Sequence, residues 1–109
     1  MERQIRKSDS DKSGADKNVH EVLEQKFTIQ NKLGLHARPA ALLVQTANRF
    51  QSEMTIQKGK QKVNGKSIMG VMMLAAGCGS VVTIRITGSD ARKAMAAITK
   101  LFQQNFQEK

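Results

Sequence analysis

The order in which two apolar periodicities alternate limits the possible folds of this sequence more than any other feature. Apolar residues at every second position are typical of strands, and apolar residues three or four positions apart are typical of helices. Strand patterns occupy residues 26–30, 53–58, 61–64 and a segment around residues 82–86. Helical patterns occupy residues 37–50, a short segment from Ser67 to about Leu74, and the segment opened by Gly88-Ser89-Asp90. The predicted order of elements is therefore β-α-β-β-α-β-α.

Two details of this pattern predict how the elements pack. Gly59 lies between the second and third strands, where it suits the turn of a hairpin. Each helix is apolar on one side only, and Ser89 or Asp90 is expected to cap the last one. The apolar stripe of that last helix comprises Ala91, Ala94, Met95, Ile98, Leu101, Phe102 and Phe106. Short strands, a hairpin and one-sided helices predict an α+β fold, an antiparallel sheet covered by helices on one face.

The length and the termini indicate one domain with a tail. The chain has 109 residues, enough for a single modest core. Residues 1–22 are rich in Ser, Asp and Lys and are expected to form a disordered or loosely attached tail, which leaves residues 23–109 as the domain. No apolar run approaches the roughly 20 residues that span a bilayer, and no apolar signal segment precedes the domain. We therefore expect a cytoplasmic protein with no membrane insertion.

The strongest chemical signal is the segment Gly34-Leu35-His36-Ala37-Arg38-Pro39, which immediately precedes the first helical pattern. Proline is favoured in a first helical turn, because its missing N–H would have no partner there. The unpaired N–H groups and the positive end of the helix dipole would then point towards the imidazole. This predicts an anion site beside a nucleophile, in which His36 accepts a phosphoryl group and Arg38 is a second cationic contact.

Other sequence features leave alternatives open. A lone histidine before a helix is more often a capping or surface residue, and Arg38 alone could be a solvated first-turn residue. The net charge of +9 suggests acidic partners, and a basic nucleic-acid-binding module is one alternative function. Few aromatic residues (four Phe, no Trp or Tyr) and no groove-reading motif speak against nucleic acid as a partner. The one cysteine, Cys78, indicates neither an internal disulfide nor a metal cluster, and no metal or cofactor is expected.

Two motifs carry a family resemblance that covers residues 25–109. One is GLHARPA at residues 34–40, followed by LVQTA at 43–47, and the other is NGKSIMGVM at 64–72. In spacing and element order they resemble the histidine-containing phosphocarrier (HPr) proteins of the bacterial phosphoenolpyruvate-dependent phosphotransferase system. The resemblance implies an open-faced β-sandwich, a four-stranded antiparallel sheet with three helices on one face. It further implies a relay protein rather than an enzyme, without a cofactor and expected to be a monomer.

The resemblance also assigns roles to residues. His36 would accept a phosphoryl group on its pros nitrogen from phospho-enzyme I and pass it to a histidine of an enzyme IIA domain in sugar uptake. Arg38 would contact the phosphate, while Gly34, Ala37 and Pro39 would shape the loop and the helix start. Ser67 is expected to cap the short helix. The resemblance adds phosphorylation of Ser67 by an HPr kinase/phosphorylase.

The short helix also predicts a contact surface. Val71 and Leu74 suit its buried side, which leaves Ile68, Met69 and Met72 facing outward as a partner-binding patch. The alternative is that these methionines all belong to the core. A phosphoserine at residue 67 would repel an acidic partner from this patch and inhibit exchange with enzyme I.

Two short segments favour a different branch of the family. Asn31-Lys32-Leu33 and the segment LFQQNF at residues 101–106 resemble the nitrogen-related branch, whereas residues 66–70 resemble the sugar branch with its regulatory serine. A signalling carrier of the nitrogen type is therefore the leading alternative to a carrier in sugar uptake.

Overall fold

The computed structural model describes residues 21–108 as four strands and three helices. The strands are β1 (Glu21–Thr28), β2 (Glu53–Lys58), β3 (Gln61–Asn64) and β4 (Val81–Gly88). The helices are α1 (Ala37–Ala47), α2 (Ile68–Met73) and α3 (Ala91–Gln103), and a 3-10 turn (Asn105–Gln107) follows α3. The predicted order β-α-β-β-α-β-α and the predicted bounds of β2 and β3 are confirmed. The predicted tail falls almost entirely outside the described residues, and β1 begins just within its last two residues.

The four strands form one antiparallel sheet in the spatial order β1-β4-β2-β3. The central strand β4 pairs with β1 along its whole length and with β2 on its other side. Along β4, Val82, Ile84 and Ile86 are buried, while Arg85 between them is exposed. Since alternate residues of a strand point to opposite faces, the sheet buries one face and leaves the other open. The open-faced α+β fold is confirmed.

The core lies between the buried face of the sheet and the apolar stripes of the helices. In α1 the buried stripe comprises Ala40, Leu43, Val44 and Ala47, and in α3 it comprises Ala91, Ala94, Met95, Ile98 and Leu101. Phe27 of β1 stacks on Phe102 of α3 with ring centroids 4.2 Å apart, and Phe106 meets Phe102 edge-on at 4.8 Å. Aromatic pairs at these distances join the edge strand and the C-terminal helix to one core.

Two predicted boundaries are wrong. The first strand occupies Glu21–Thr28 rather than residues 26–30, because β4 supplies backbone partners from Gly88 to Val81. The first helix ends at Ala47 rather than at Phe50, because the chain turns at residues 48–50. Phe50 still packs against the core from outside the helix.

The start and the end of α3 also differ from the prediction. Asp90 holds the N-cap position, but its carboxylate makes no capping bond and accepts the backbone N–H groups of Gln51 and Ser52, each at 2.9 Å. Phe106 is buried as expected, yet it lies in the 3-10 turn and not on the helix. The apolar stripe therefore continues past the end of α3 through a change of backbone conformation.

No helix within residues 21–108 is both long enough and apolar enough to cross a bilayer.

Candidate functional site

A tight backbone contact positions the loop that precedes α1. Gly34 has φ +71°, and a Cβ at this position would lie 2.5 Å from the carbonyl oxygen of Ala76. The next residue, Leu35, donates its N–H to that same oxygen at 2.9 Å. Only glycine adopts this conformation and permits this approach without strain. Gly34 therefore fixes the distance between the loop and the segment after α2.

His36 lies at the N-cap position of α1, as the sequence predicts. Its backbone is extended (φ −80°, ψ −169°), and its carbonyl oxygen accepts the N–H of Ala40 at 3.0 Å. Its side chain makes no capping hydrogen bond. The ring is 36% exposed. The His36 side chain therefore does not cap the helix, and its imidazole is partly exposed; its role as phosphoryl acceptor stays a prediction.

The start of α1 provides electropositive groups beside this ring. The amides of Ala37 and Arg38 belong to the first turn, where no helical acceptor exists for them, and Pro39 is buried and lacks an N–H. The Arg38 side chain is exposed. A helix N-terminus of this kind favours anions, and the anion site beside His36 stays a prediction.

The C-terminal segment adds a carboxylate to this site. Nε2 of His36 lies 3.2 Å from Oε2 of Glu108, and the Asn31 side-chain amide donates to Oε1 of Glu108 at 2.6 Å. The hydrogen bond from Asn31 lowers the pKa of Glu108 most, burial opposes it, and His36 and the positive charge of Arg38 lower that pKa further. Glu108 is therefore a carboxylate at neutral pH, held between an amide and the imidazole.

Sequence reasoning did not identify Asn31 or Glu108 as site residues. The two are 77 positions apart, so no local spacing could have paired them. One indirect signal existed, because Asn31 and Asn105 belong to the two segments that resemble the nitrogen-related branch. The structure brings these segments together, with Nδ2 of Asn31 3.4 Å from the carbonyl oxygen of Asn105.

The second motif forms the start of α2. Ser67 occupies the N-cap position and its Oγ accepts the N–H of Gly70 at 3.0 Å, which confirms the predicted cap. Helix α2 packs against α1. Ser67 is therefore a structural cap on a helix that lies beside the helix carrying His36 at its start.

The outer face of α2 is an exposed apolar patch. Val71 and Leu74 are buried, as predicted, whereas Ile68, Met69 and Met72 are exposed by 42%, 71% and 41%. Met73, which sequence reasoning left out, is 66% exposed. The alternative that these methionines belong to the core is wrong.

Residues 21–108 contain no group of three His, Cys, Asp or Glu side chains that could hold a metal ion. Cys78 is exposed and carries a free thiol.

Comparisons with known proteins agree with this architecture. The profile of the PTS-HPr family, described as the PTS HPr component phosphorylation site, matches residues 23–104. A phosphocarrier protein HPr of Xylella fastidiosa (strain Temecula1) is 52% identical over 87 residues, which cover 80% of this chain and 98% of that protein. The crystal structure of an HPr from Thermoanaerobacter tengcongensis superposes with a TM-score of 0.77 at 46% identity, covering 80% of this chain and 98% of the other.

A second similar structure is a dimer. Crh, the Bacillus subtilis catabolite-repression protein, forms a domain-swapped, intertwined dimer in its crystal. It is 46% identical to this chain, has a TM-score of 0.61, and covers 73% of this chain and 92% of its own.

The matched profile and the named relatives are those of phosphocarrier proteins, and the helix-covered antiparallel sheet agrees with the similar HPr structure. The chain belongs to the HPr family of the phosphotransferase system.

Proposed function

We propose that this protein receives a phosphoryl group on His36 from phospho-enzyme I and delivers it to a histidine of an enzyme IIA domain in sugar uptake. The observation that carries the proposal is the state of the His36 ring. It lies at the N-terminus of α1, is 36% exposed and makes no capping bond. The partial exposure of this ring at a helix N-terminus supports its role as the acceptor.

The surrounding groups suit phosphoryl transfer. In such reactions the protein contributes mainly positioning and stabilisation of negative charge. The first-turn amides of Ala37 and Arg38 and the Arg38 guanidinium supply positive potential for the phosphoryl oxygens. Nε2 of His36 faces Glu108, which leaves the pros nitrogen, Nδ1, as the acceptor.

Ser67 and the patch on α2 form the proposed regulatory and docking surface. The exposed side chains of Ile68, Met69 and Met72 give enzyme I and the IIA domain an adaptable apolar contact. An HPr kinase/phosphorylase would phosphorylate Ser67 at the positive end of α2, where a phosphate is compatible with the fold. The added charge would repel an acidic partner from the neighbouring patch.

A nitrogen-type signalling carrier remains the second candidate. Its support is the contact between Asn31 and Asn105, which joins the two segments that resemble that branch. Phosphoryl exchange with a sugar-type against a nitrogen-type IIA domain separates the two candidates. The nucleic-acid alternative receives no support from the family assignment.

The test is phosphorylation from labelled phosphoenolpyruvate and enzyme I. We expect acid-labile label on the wild-type protein and none on His36→Ala. The matched control is His20→Ala, since the chain has only two histidines, and it should be labelled like the wild type. Label retained on folded His36→Ala would overturn the proposal.

Phosphorylation of Ser67 is tested in a separate assay with ATP and an HPr kinase. Acid-stable label is expected on the wild type and not on Ser67→Ala, and Ser67→Asp should bind enzyme I more weakly. Unchanged affinity of Ser67→Asp for enzyme I would contradict the inhibition.

The monomeric state is a prediction that light scattering of the purified protein decides, and a dimer like that of Crh would contradict it.

A further inference from the structure

Asn31 is buried in a way that does not favour stability. The residue is 1% exposed, and its Oδ1 has no hydrogen-bond partner within residues 21–108. The amide cannot simply be reversed, because Nδ2 faces two oxygens, Oε1 of Glu108 and the carbonyl oxygen of Asn105. A buried, unpaired polar atom costs free energy and calls for an explanation other than packing.

The turn after α3 carries a second local cost. Asn105, Phe106 and Gln107 have φ of 52°, 54° and 64°, and such values are unfavourable for residues with a Cβ. The turn buries Phe106 and redirects the chain so that Glu108 reaches His36 and Asn31. Both costs therefore have one common result, a carboxylate held against the imidazole. Local strain of this kind is concentrated at functional sites.

We propose that Asn31 and Glu108 are a positioning pair that fixes His36 in the tautomer with its proton on Nε2. This inference rests on the proposed role of His36 as phosphoryl acceptor. Oε2 of Glu108 accepts the Nε2–H, so the lone pair lies on Nδ1, where a nucleophile is needed. Asn31 holds the other carboxylate oxygen and so sets the orientation of Glu108.

Glu108 also faces the positive charge that develops on the His36 ring during phosphoryl transfer. The Nδ1 lone pair forms the new N–P bond, while the P–N bond of the donor phosphohistidine breaks and its electron pair returns to the donor nitrogen. The His36 ring becomes positive, and its Nε2–H bond to the Glu108 carboxylate strengthens. A carboxylate that orients a histidine and stabilises its imidazolium serves the same purpose in hydrolase triads.

The size of the effect follows from the exposure of the two groups. The His36 side chain is 36% exposed and that of Glu108 is 23% exposed, so solvent weakens their interaction. We expect loss of the carboxylate to slow phosphoryl acceptance about fivefold, the size of one charge-assisted hydrogen bond that is partly screened.

The first experiment reads the tautomer directly. In protein with 15N-labelled histidine, the Nδ1 and Nε2 shifts of neutral His36 should show the Nε2–H form in the wild type. Glu108→Gln and Asn31→Leu should shift His36 towards a mixture of tautomers. Glu24→Gln removes the same charge from an exposed position on β1 and should change nothing. An Nδ1–H tautomer in the wild type, or an unchanged tautomer in Glu108→Gln, would overturn the proposal.

The second experiment separates positioning from a structural role. Asn31→Leu removes the unpaired Oδ1, so its urea midpoint should equal or exceed that of the wild type while phosphoryl acceptance slows about fivefold. A merely structural asparagine would give the opposite result, a lower midpoint with an unchanged rate. If the wild type accepts no phosphoryl group, the proposed function fails, yet the tautomer measurement still decides whether Glu108 and Asn31 orient the ring.

Discussion

Replacing Gly34 with alanine tests whether close backbone approach builds the site. Gly34 has φ +71°, and its Cβ would lie 2.5 Å from the Ala76 carbonyl oxygen and 2.8 Å from the Gly77 Cα. Gly59 has a similar φ of +59° but has no atom within 4 Å of a built Cβ. Gly59→Ala is therefore the matched control, because it adds the backbone strain without the collision.

The loss of stability in each variant is the sum of separate contributions. The positive φ costs an alanine about 1–2 kcal/mol, and the lower entropy of its unfolded chain offsets about 0.4–1 kcal/mol of this. We therefore expect Gly59→Ala to lose about 1 kcal/mol. At Gly34 the neighbours are backbone atoms that cannot rotate away, so the bond from Leu35 N–H to Ala76 must stretch. Its loss adds about 0.5–1.5 kcal/mol, and the overlap adds about 1–3 kcal/mol.

The difference between the two variants is the quantity to measure. It should be at least about 1.5 kcal/mol, which separates the urea midpoints by about 1 M or more for a domain of this size. Circular dichroism is the appropriate probe, because the chain has no Trp or Tyr. Equal losses for Gly34→Ala and Gly59→Ala would refute the argument that close approach requires glycine before His36.

Three further predictions concern stability, each measured by urea unfolding. Ala75 has φ 49° just after α2, so Ala75→Gly should stabilise the protein by about 0.5–1 kcal/mol, and a loss would contradict this. Ser67→Ala removes the bond to Gly70 and should cost about 1 kcal/mol, so an unchanged midpoint would show that the cap is unimportant. The hydrogen bond from the Ser52 side chain contributes most to lowering the pKa of Asp90. Because the pKa of Asp90 is lower in the folded protein than in the unfolded chain, its charge stabilises the fold above the unfolded pKa, and this stabilisation is lost as the pH falls through the folded pKa. Asp90→Asn should therefore lower the midpoint at pH 7, and the difference should shrink as the pH falls below about 4. A pH-independent difference would rule out this linkage.

The fold was predictable where the local apolar pattern of the sequence matches the burial of the same residues in the tertiary structure. The bounds of β2 and β3 follow from alternation on either side of Gly59, and the buried stripe of α1 follows from helical spacing. Patterns failed where the backbone changes conformation but side-chain burial continues. Phe106 stands four positions after Phe102 and fits the helical stripe, yet three left-handed residues bring it to the core instead.

The site was predictable only in its local part. His36, Arg38 and Pro39 belong to one turn, so their placement at a helix N-terminus follows from their spacing. Asp90 has the residue type of a helix cap, but its carboxylate holds the segment before β2, which no helix signal encodes. Asn31 and Glu108 meet only because β1, α3 and the last turn are already packed, so their partnership depends on the tertiary structure.

The central claim is that Nδ1 of His36 is the atom that carries phosphorus. The most direct measurement is 31P–15N coupling in 15N-labelled protein after incubation with phosphoenolpyruvate and enzyme I. We predict a phosphorus coupled to Nδ1 of His36, with Nε2 still protonated. Phosphorus on Nε2 of His36, or on any other residue, would contradict the account.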